Sequence, residues 1–150
     1  MTRSALVVVL MGACSGTGSG ACDGFADRNL GIVGTEYRPC AKEILAKLDA
    51  LRPLLERRVA GEATDVTAAR DHSASLAARI EATGIMDDYR SMRPSTVVVK
   101  WPEASTRAFN EAAFYATVRY EAVLAFPNDD VLQQGIRAHE QAKRAYDAMR

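Results

Sequence analysis

The chain has 150 residues, enough for one domain, and 48% of them are hydrophobic, as in ordinary globular proteins. Its 19 basic and 19 acidic residues leave a formal net charge of zero, and both signs are interspersed along the sequence. Affinity for nucleic acid depends on a concentrated basic surface, so this balance argues against a nucleic-acid partner.

The N-terminal residues follow the order basic, apolar, small and cysteine. Arg3 precedes an unbroken apolar run over residues 5–11, and a Gly-Ala pair then leads into Cys14. This order is typical of an export signal. Because the cysteine directly follows the small pair, the segment 10–14 resembles the lipobox of bacterial lipoproteins.

The resemblance implies that residues 1–13 are a signal peptide and that Cys14 carries a diacylglyceryl group, with acyl chains such as palmitate. It implies a protein of the bacterial cell envelope, which contacts the membrane through lipid on Cys14. Where the host has an outer membrane, the periplasm-facing side of that membrane is the expected location. Residues 14–36, rich in glycine and serine, would form a lipid-anchored, flexible tether.

Two other interpretations of the N-terminal segment stay open. The first is an ordinary leader peptide without lipidation. The second is a buried strand over residues 5–11. Such a strand would enter a glycine-rich turn that imitates a dinucleotide-binding motif, although no second strand with a crossover helix follows in the sequence.

The three cysteines are consistent with export if one of them carries lipid. With Cys14 acylated, Cys22 and Cys40 remain as a pair for a disulfide. Such a bridge would close a loop of about 18 residues and contribute about 3 kcal/mol in the chain-entropy model. The alternative is two free thiols, with Cys40 packed on an apolar helix face.

Four amphipathic segments make up the rest of the chain and predict an all-α fold. Apolar residues recur at steps of three or four residues in the segments 39–59, 65–83, 102–126 and 129–150. Helices of roughly 20 residues, about 30 Å long, predict an antiparallel four-helix bundle, here the domain 37–150. Pro53 lies inside the first segment and predicts a kink or a new turn there.

The boundaries between the segments also carry signals. Thr64 is the predicted N-cap of the second helix, and Asn128 is the predicted N-cap of the fourth. The third and fourth helices are joined by a tight turn and must be antiparallel neighbours. A long crossover over residues 85–101 separates the second helix from the third. It contains a β-branched run, Thr96–Val99, and is expected to press on the bundle in extended form.

The third helix is apolar on two sides. One stripe, headed by Phe109, is expected to face the core. The other consists of Phe114, Val118 and Ala125 and is flanked by Tyr115 and Phe126. Either this second stripe is covered by the crossover, or it is an exposed face for a partner or an apolar ligand.

His139 lies on the apolar stripe of the fourth helix, with Lys143 and Tyr146 one and two turns further on. The simpler interpretation is a histidine hydrogen-bonded in the core with a lysine extending to the edge. The alternative is a polar pocket between the third and fourth helices, lined by Tyr120, His139 and Tyr146.

Motifs for catalysis or metal binding are absent from the sequence. It has no Gly-x-Ser-x-Gly and no His-Glu-x-x-His, and neither histidine has a glutamate three residues before it. We therefore expect no enzyme, no metal and no cofactor. The prediction is a lipid-anchored envelope protein that acts as a non-catalytic binding or interaction module toward an unknown envelope protein. The alternative is an exported carrier or sensor of a small apolar ligand bound within the bundle. The candidate face for either is Phe114, Val118, Tyr120, His139 and Tyr146.

Overall fold

The computed structural model describes residues 20–22, 34–83 and 104–149. These residues form four helices, α1 (Gly34–Val59), α2 (Val66–Ala82), α3 (Ala104–Ala125) and α4 (Asp129–Ala148). The described part of the chain contains no strand, and the helices pack on one another. The predicted all-α four-helix bundle is therefore confirmed. The predicted signal peptide, Cys14 and the crossover with Thr96–Val99 lie outside the described residues.

Contacts between the ends of the helices define the topology. The Tyr37 hydroxyl, near the start of α1, donates to the side-chain oxygen of Asn110 near the start of α3. The Arg79 guanidinium of α2 pairs with Glu43 of α1, so α2 returns toward the beginning of α1. Helices α1 and α3 are therefore parallel, and α2 runs antiparallel to both.

Arginines of α1 hold the carboxyl ends of α3 and α4. Arg58 donates to the carbonyl of Leu124 over 2.9 Å, and Arg38 donates to the carbonyl of Met149 over 2.7 Å. A guanidinium at this end of a helix satisfies carbonyls that lack a partner within the helix and interacts favourably with the helix dipole. The same contacts show that α4 is antiparallel to α1.

Helix α1 is continuous through Pro53, where the sequence predicted a kink or a new turn. Proline inside a helix removes one hydrogen bond and costs about 3 kcal/mol or more. Pro53 lies on the exposed side, whereas Leu48, Leu51 and Leu55 on either side of it are fully buried. Burial of each such side chain contributes about 1.5–3 kcal/mol, enough to keep both halves of α1 in the bundle. The helix also starts at Gly34, earlier than predicted.

The two predicted N-caps have different outcomes. Asn128 caps α4 as predicted, because its side-chain oxygen accepts from the Val131 amide over 3.0 Å. The prediction of Thr64 for α2 is wrong by one residue, since Asp65 is the N-cap. Its carboxylate accepts from the amides of Thr67 and Ala68 over 2.9 and 3.2 Å. An aspartate there binds two otherwise unpaired amides and also carries a negative charge at the positive end of the helix.

Helices α3 and α4 form the most extensive helix pair of the bundle. Their close approach depends on Gly135, which is buried in the middle of α4. A Cβ atom at this position would lie 2.7 Å from the ring of Tyr120 on α3. Hydrogen is therefore the only substituent that fits at position 135 without movement of the tyrosine.

Candidate functional site

The N-terminal strap of the domain, residues 20–22, lies against the bundle. The sulfurs of Cys22 and Cys40 are at disulfide distance, 2.13 Å apart, and both cysteines are fully buried. The Ala21 amide donates to a carboxylate oxygen of Glu43 over 3.1 Å. The other oxygen of that carboxylate lies 3.4 Å from Nε of Arg79. Glu43 thus joins the strap to α1 and α2, and the pairing predicted for the two cysteines is the one that the structure holds.

A buried polar group occupies the centre of the bundle, between α1, α3 and α4. His139 is 0% exposed, and its Nδ1 atom lies 3.1 Å from the hydroxyl of Tyr120, within hydrogen-bond distance. Its Nε2 atom lies 3.1 Å from a carboxylate oxygen of Asp49, which is ion-pair distance but not hydrogen-bond geometry. A proton on Nε2 next to the carboxylate leaves Nδ1 to accept from the Tyr120 hydroxyl.

Burial sets the protonation of this group. It lowers the pKa of His139 below the ordinary value of 6.5, and the opposing effect of the Asp49 carboxylate is smaller. Burial also raises the pKa of the Tyr120 hydroxyl above its ordinary value of 10.0. Both side chains are therefore neutral at pH 7, as their position in a low-dielectric core requires.

Charged side chains extend this centre to the surface. Asp49 is 51% exposed and also pairs with Lys143, whose Nζ atom is 2.8 Å from Oδ1. Arg52 of α1 bonds Glu56 on its own helix over 2.8 Å and Glu140 of α4 over 3.0 Å. These ion pairs hold α1 to α4 and leave the histidine at the inner end of a charged network.

One interpretation of the sequence was a pocket lined by Tyr120, His139 and Tyr146. In the structure, only Tyr120 and His139 are in contact. Tyr146 packs on the ring of Phe109 and under the guanidinium of Arg38, with centroid distances of 6.5 and 4.4 Å. None of the three cavities formed by described residues is lined by any of the three predicted residues. The ligand-pocket hypothesis remains a prediction without support from these contacts.

The second apolar stripe of α3 is divided between core and surface. Phe114 is half-buried and packs against the core, whereas Val118 is 40% exposed. The flanking Tyr115 and Phe126 are 43% and 80% exposed, and these three are the exposed large hydrophobic residues of the described chain. We define the outer face of α3 as Tyr115, Val118, Ala122 and Phe126 with the side chains between them along that side.

Two shallow depressions lie beside Tyr115, between α3 and α4. One, with a volume of about 380 Å³, is bounded by Tyr115, Glu111 and Gln141 with Ala108 and Ala112. The other, about 240 Å³, lies on the α4 side of the same tyrosine. The tyrosine itself is held by Arg119, whose Nη2 donates to its hydroxyl over 2.7 Å.

Sequence reasoning missed the partners of His139 on α1. Asp49 and Arg52 adjoin the buried stripe of α1, as do other charged residues along that helix, and no local pattern marks them as partners of α4. The position of Lys143 near this group was predictable from the sequence, because Lys143 lies one helical turn from His139 on the same side of α4.

The described residues form neither a cluster of metal ligands nor a membrane-spanning helix. No three His, Cys, Asp or Glu side chains among them are grouped so as to hold a metal ion. None of the described helices combines the length and apolarity needed to cross a bilayer.

Comparison with known proteins places the bundle in no group. No family model, no curated protein and no solved structure matches the chain. The class that can be stated is therefore the fold itself, a four-helix bundle with a strap at its N-terminal end.

Proposed function

We propose that this chain is a cell-envelope protein, anchored through lipid on Cys14, whose bundle acts as a non-catalytic binding module. Its binding surface is the outer face of α3. The anchor rests on the lipobox-like segment 10–14. The binding role rests on the exposure of Tyr115, Val118 and Phe126.

That exposure is the observation that carries the proposal. Single exposed apolar residues are common on protein surfaces, but neighbouring large ones on one helix face are typical of interaction sites. Tyr115 and Val118 lie about one turn apart on α3, and Phe126 directly follows the last residue of the helix. Ala122 lies on the surface between Val118 and Phe126. Tyrosine and phenylalanine are also enriched in interface cores.

The surroundings of His139 and Tyr120 support a structural role for these two side chains and not a catalytic one. A general base must reach a substrate proton within hydrogen-bond distance or through one water. His139 is fully buried, and its Nδ1 is engaged with Tyr120. A buried hydrogen bond of this kind fixes the relative position of α3 and α4. The proposal therefore assigns no reaction to it.

The binding role is tested by photo-crosslinking in the membranes of the native host. A photoreactive amino acid replaces Val118, and a matched variant carries it at Arg144, an exposed position on α4. We expect an ultraviolet-dependent adduct of defined mass from position 118 and none from position 144. Equal labelling at both positions, or no adduct from position 118, would reject the outer face as a binding surface.

The anchor is tested separately by the intact mass of the protein from the membrane fraction. We expect a chain that begins at Cys14 and carries acyl mass, and a Cys14→Ala variant that leaves the membrane fraction. An unmodified chain of full length in the soluble fraction would contradict the anchor without affecting the test of the binding face.

A further inference from the structure

We propose that the occupant of the outer face of α3 is a second copy of this chain, docked antiparallel about a two-fold axis at Tyr115. This inference rests on the proposed function, because it names the partner of the same face. It comes from the arrangement of charge and side-chain size along α3.

Seven residues in line with Tyr115 are spaced symmetrically about it along this side of α3, a set that does not include Val118 of the outer face. They follow one another at steps of four, three, four, four, three and four residues, and all are exposed except Arg119, which is half-buried. Steps of three and four keep residues on one face of a helix. The set is Ala104, Ala108, Glu111, Tyr115, Arg119, Ala122 and Phe126.

The charges on this face are complementary to themselves in the antiparallel arrangement. Glu111 lies four residues before Tyr115, and Arg119 lies four residues after it. A two-fold axis through Tyr115 places Glu111 of each copy opposite Arg119 of the other, so the contact forms twice. A self-complementary surface of this kind is what a closed two-fold dimer requires.

Neither charge is neutralised within the described part of the chain. Glu111 has no ion pair or hydrogen bond there. The guanidinium of Arg119 bonds the hydroxyl of Tyr115 and lies over its ring, and the Cβ of Arg119 lies beside Gly135 of α4. The Nε atom of Arg119 is buried without a hydrogen-bond partner. The charged residues near His139 are different, because Asp49 and Glu140 pair with cations of a neighbouring helix or of their own. Glu111 and Arg119 are eight residues apart on one helix, too far to pair with each other.

Side-chain sizes on this face also match. The same two-fold axis sets Phe126 opposite Ala104, so that this large side chain meets a small one, and it sets Ala122 opposite Ala108. The depression of about 380 Å³ beside Tyr115 is bounded by Ala108 and Glu111 and can receive the tyrosine ring of the second copy. Offset packing of two tyrosines is a favourable aromatic geometry.

Stable interfaces bury about 1,200 Å² or more in total, and the one proposed here consists of a single helix face from each copy. We therefore expect a dimer that dissociates on dilution. The antiparallel arrangement places the two straps at opposite ends of the dimer. A common membrane anchor therefore raises the effective concentration of the two copies only where α3 lies along the membrane surface.

The test is a charge-reversal cycle on the full acylated chain in neutrally buoyant detergent, with the dimerisation constant measured by sedimentation equilibrium. We expect E111R and R119E each to weaken dimerisation by about tenfold or more, since symmetry places two like-charge contacts in each variant. The double variant E111R/R119E restores opposite charges across the axis and should return to within a few-fold of the original constant.

Matched controls and circular dichroism keep this result interpretable. Glu62→Arg and Arg144→Glu reverse exposed charges outside the face and should leave the constant unchanged. A folded chain that stays monomeric, or a dimer in which the double variant is no stronger than the single ones, overturns the proposal. The Val118 crosslinking experiment separates this failure from failure of the proposed function, because an adduct with a different protein would reject only the second copy.

Discussion

His139 is a single side chain on which three helices converge. Tyr120 of α3 lies at one ring nitrogen and Asp49 of α1 at the other, while Lys143 and Glu140 of α4 adjoin the network around it. Burial outweighs these charges and lowers the pKa of the imidazole in the folded protein. The unfolded chain therefore takes up this proton at a higher pH than the folded chain does.

This difference predicts a pH dependence of stability. The contribution of His139 is fully present above the unfolded pKa of about 6.5 and is lost as the pH falls from there toward the lower folded pKa. We expect the free energy of unfolding, measured with urea between pH 7 and pH 5, to fall less steeply in His139→Gln than in the unaltered chain. His72→Gln, at the half-buried second histidine, is the control. Equal slopes in all three proteins would contradict the assignment.

Gly135 provides a second prediction at a single position. Alanine has the higher helix propensity by about 1 kcal/mol, but its Cβ would lie 2.7 Å from the buried ring of Tyr120. That ring cannot swing away without losing the contact with His139. Overpacking of this kind costs typically 1–3 kcal/mol, so we expect Gly135→Ala to destabilise the fold by about 1 kcal/mol. Thermal unfolding measures this change. Arg144→Ala, on the exposed side of α4, is the control and should be close to neutral in the same experiment.

Among the helices, α2 has the weakest attachment to the core. Leu76 and Ile80 are the large apolar residues that it buries, and the other buried positions are Ala69 and Ser73. The Ser73 hydroxyl contacts Glu121 of α3 over 3.3 Å. A helix with so little buried surface depends more on its capping interactions than α1 does.

We therefore predict that loss of the N-cap has a measurable effect on α2. Asp65→Ala removes the acceptor of two amide hydrogen bonds and should lower the free energy of unfolding by about 1 kcal/mol. Hydrogen exchange should show the loss of protection concentrated in the first turn of α2. Thr64→Ala, one residue earlier, should change neither quantity. A larger effect at Thr64 than at Asp65 would show that the cap is assigned to the wrong residue.

For the whole molecule, the strap determines where the tether joins the bundle. Residues 20–22 meet α1 at Cys40 and Glu43, near the end of the bundle where α1 begins. If Cys14 is acylated, only a few residues separate the lipid from this contact.

Reduction of the Cys22–Cys40 pair tests the contribution of this strap. A loop of this size contributes about 3 kcal/mol in the chain-entropy model, and we expect a reductant to lower the free energy of unfolding by about that amount. The melting temperature should fall accordingly. In Cys22→Ser the same reductant should have no effect. An unchanged melting temperature of the unaltered chain, with reduction verified by mass, would show that the bridge adds nothing to stability.

Local sequence patterns were sufficient for most of the architecture. The spacing of Leu48, Leu51 and Leu55 predicts the buried stripe of α1, and Asn128 predicts the start of α4. If Cys14 carries lipid, Cys22 and Cys40 are the cysteines that remain for the bond to the strap. The first two features depend on residues close together in the chain, so no knowledge of the packing was needed. The pairing of the cysteines depended on the assignment of Cys14, and the structure decided it against two free thiols.

Only the tertiary structure decided which groups meet across helices. It placed Tyr120 and Asp49 at the two ring nitrogens of His139, and it placed Tyr146 beside Arg38 and Phe109. The separation of the half-buried Phe114 from the exposed Val118 on one predicted stripe has the same origin. Helical periodicity gives the direction of a side chain around its own axis, but the rotation of each helix in the bundle is set by the fit of all the others. The sequence by itself therefore determined the elements and their order, and the packing determined the polar centre and the face that α3 leaves exposed.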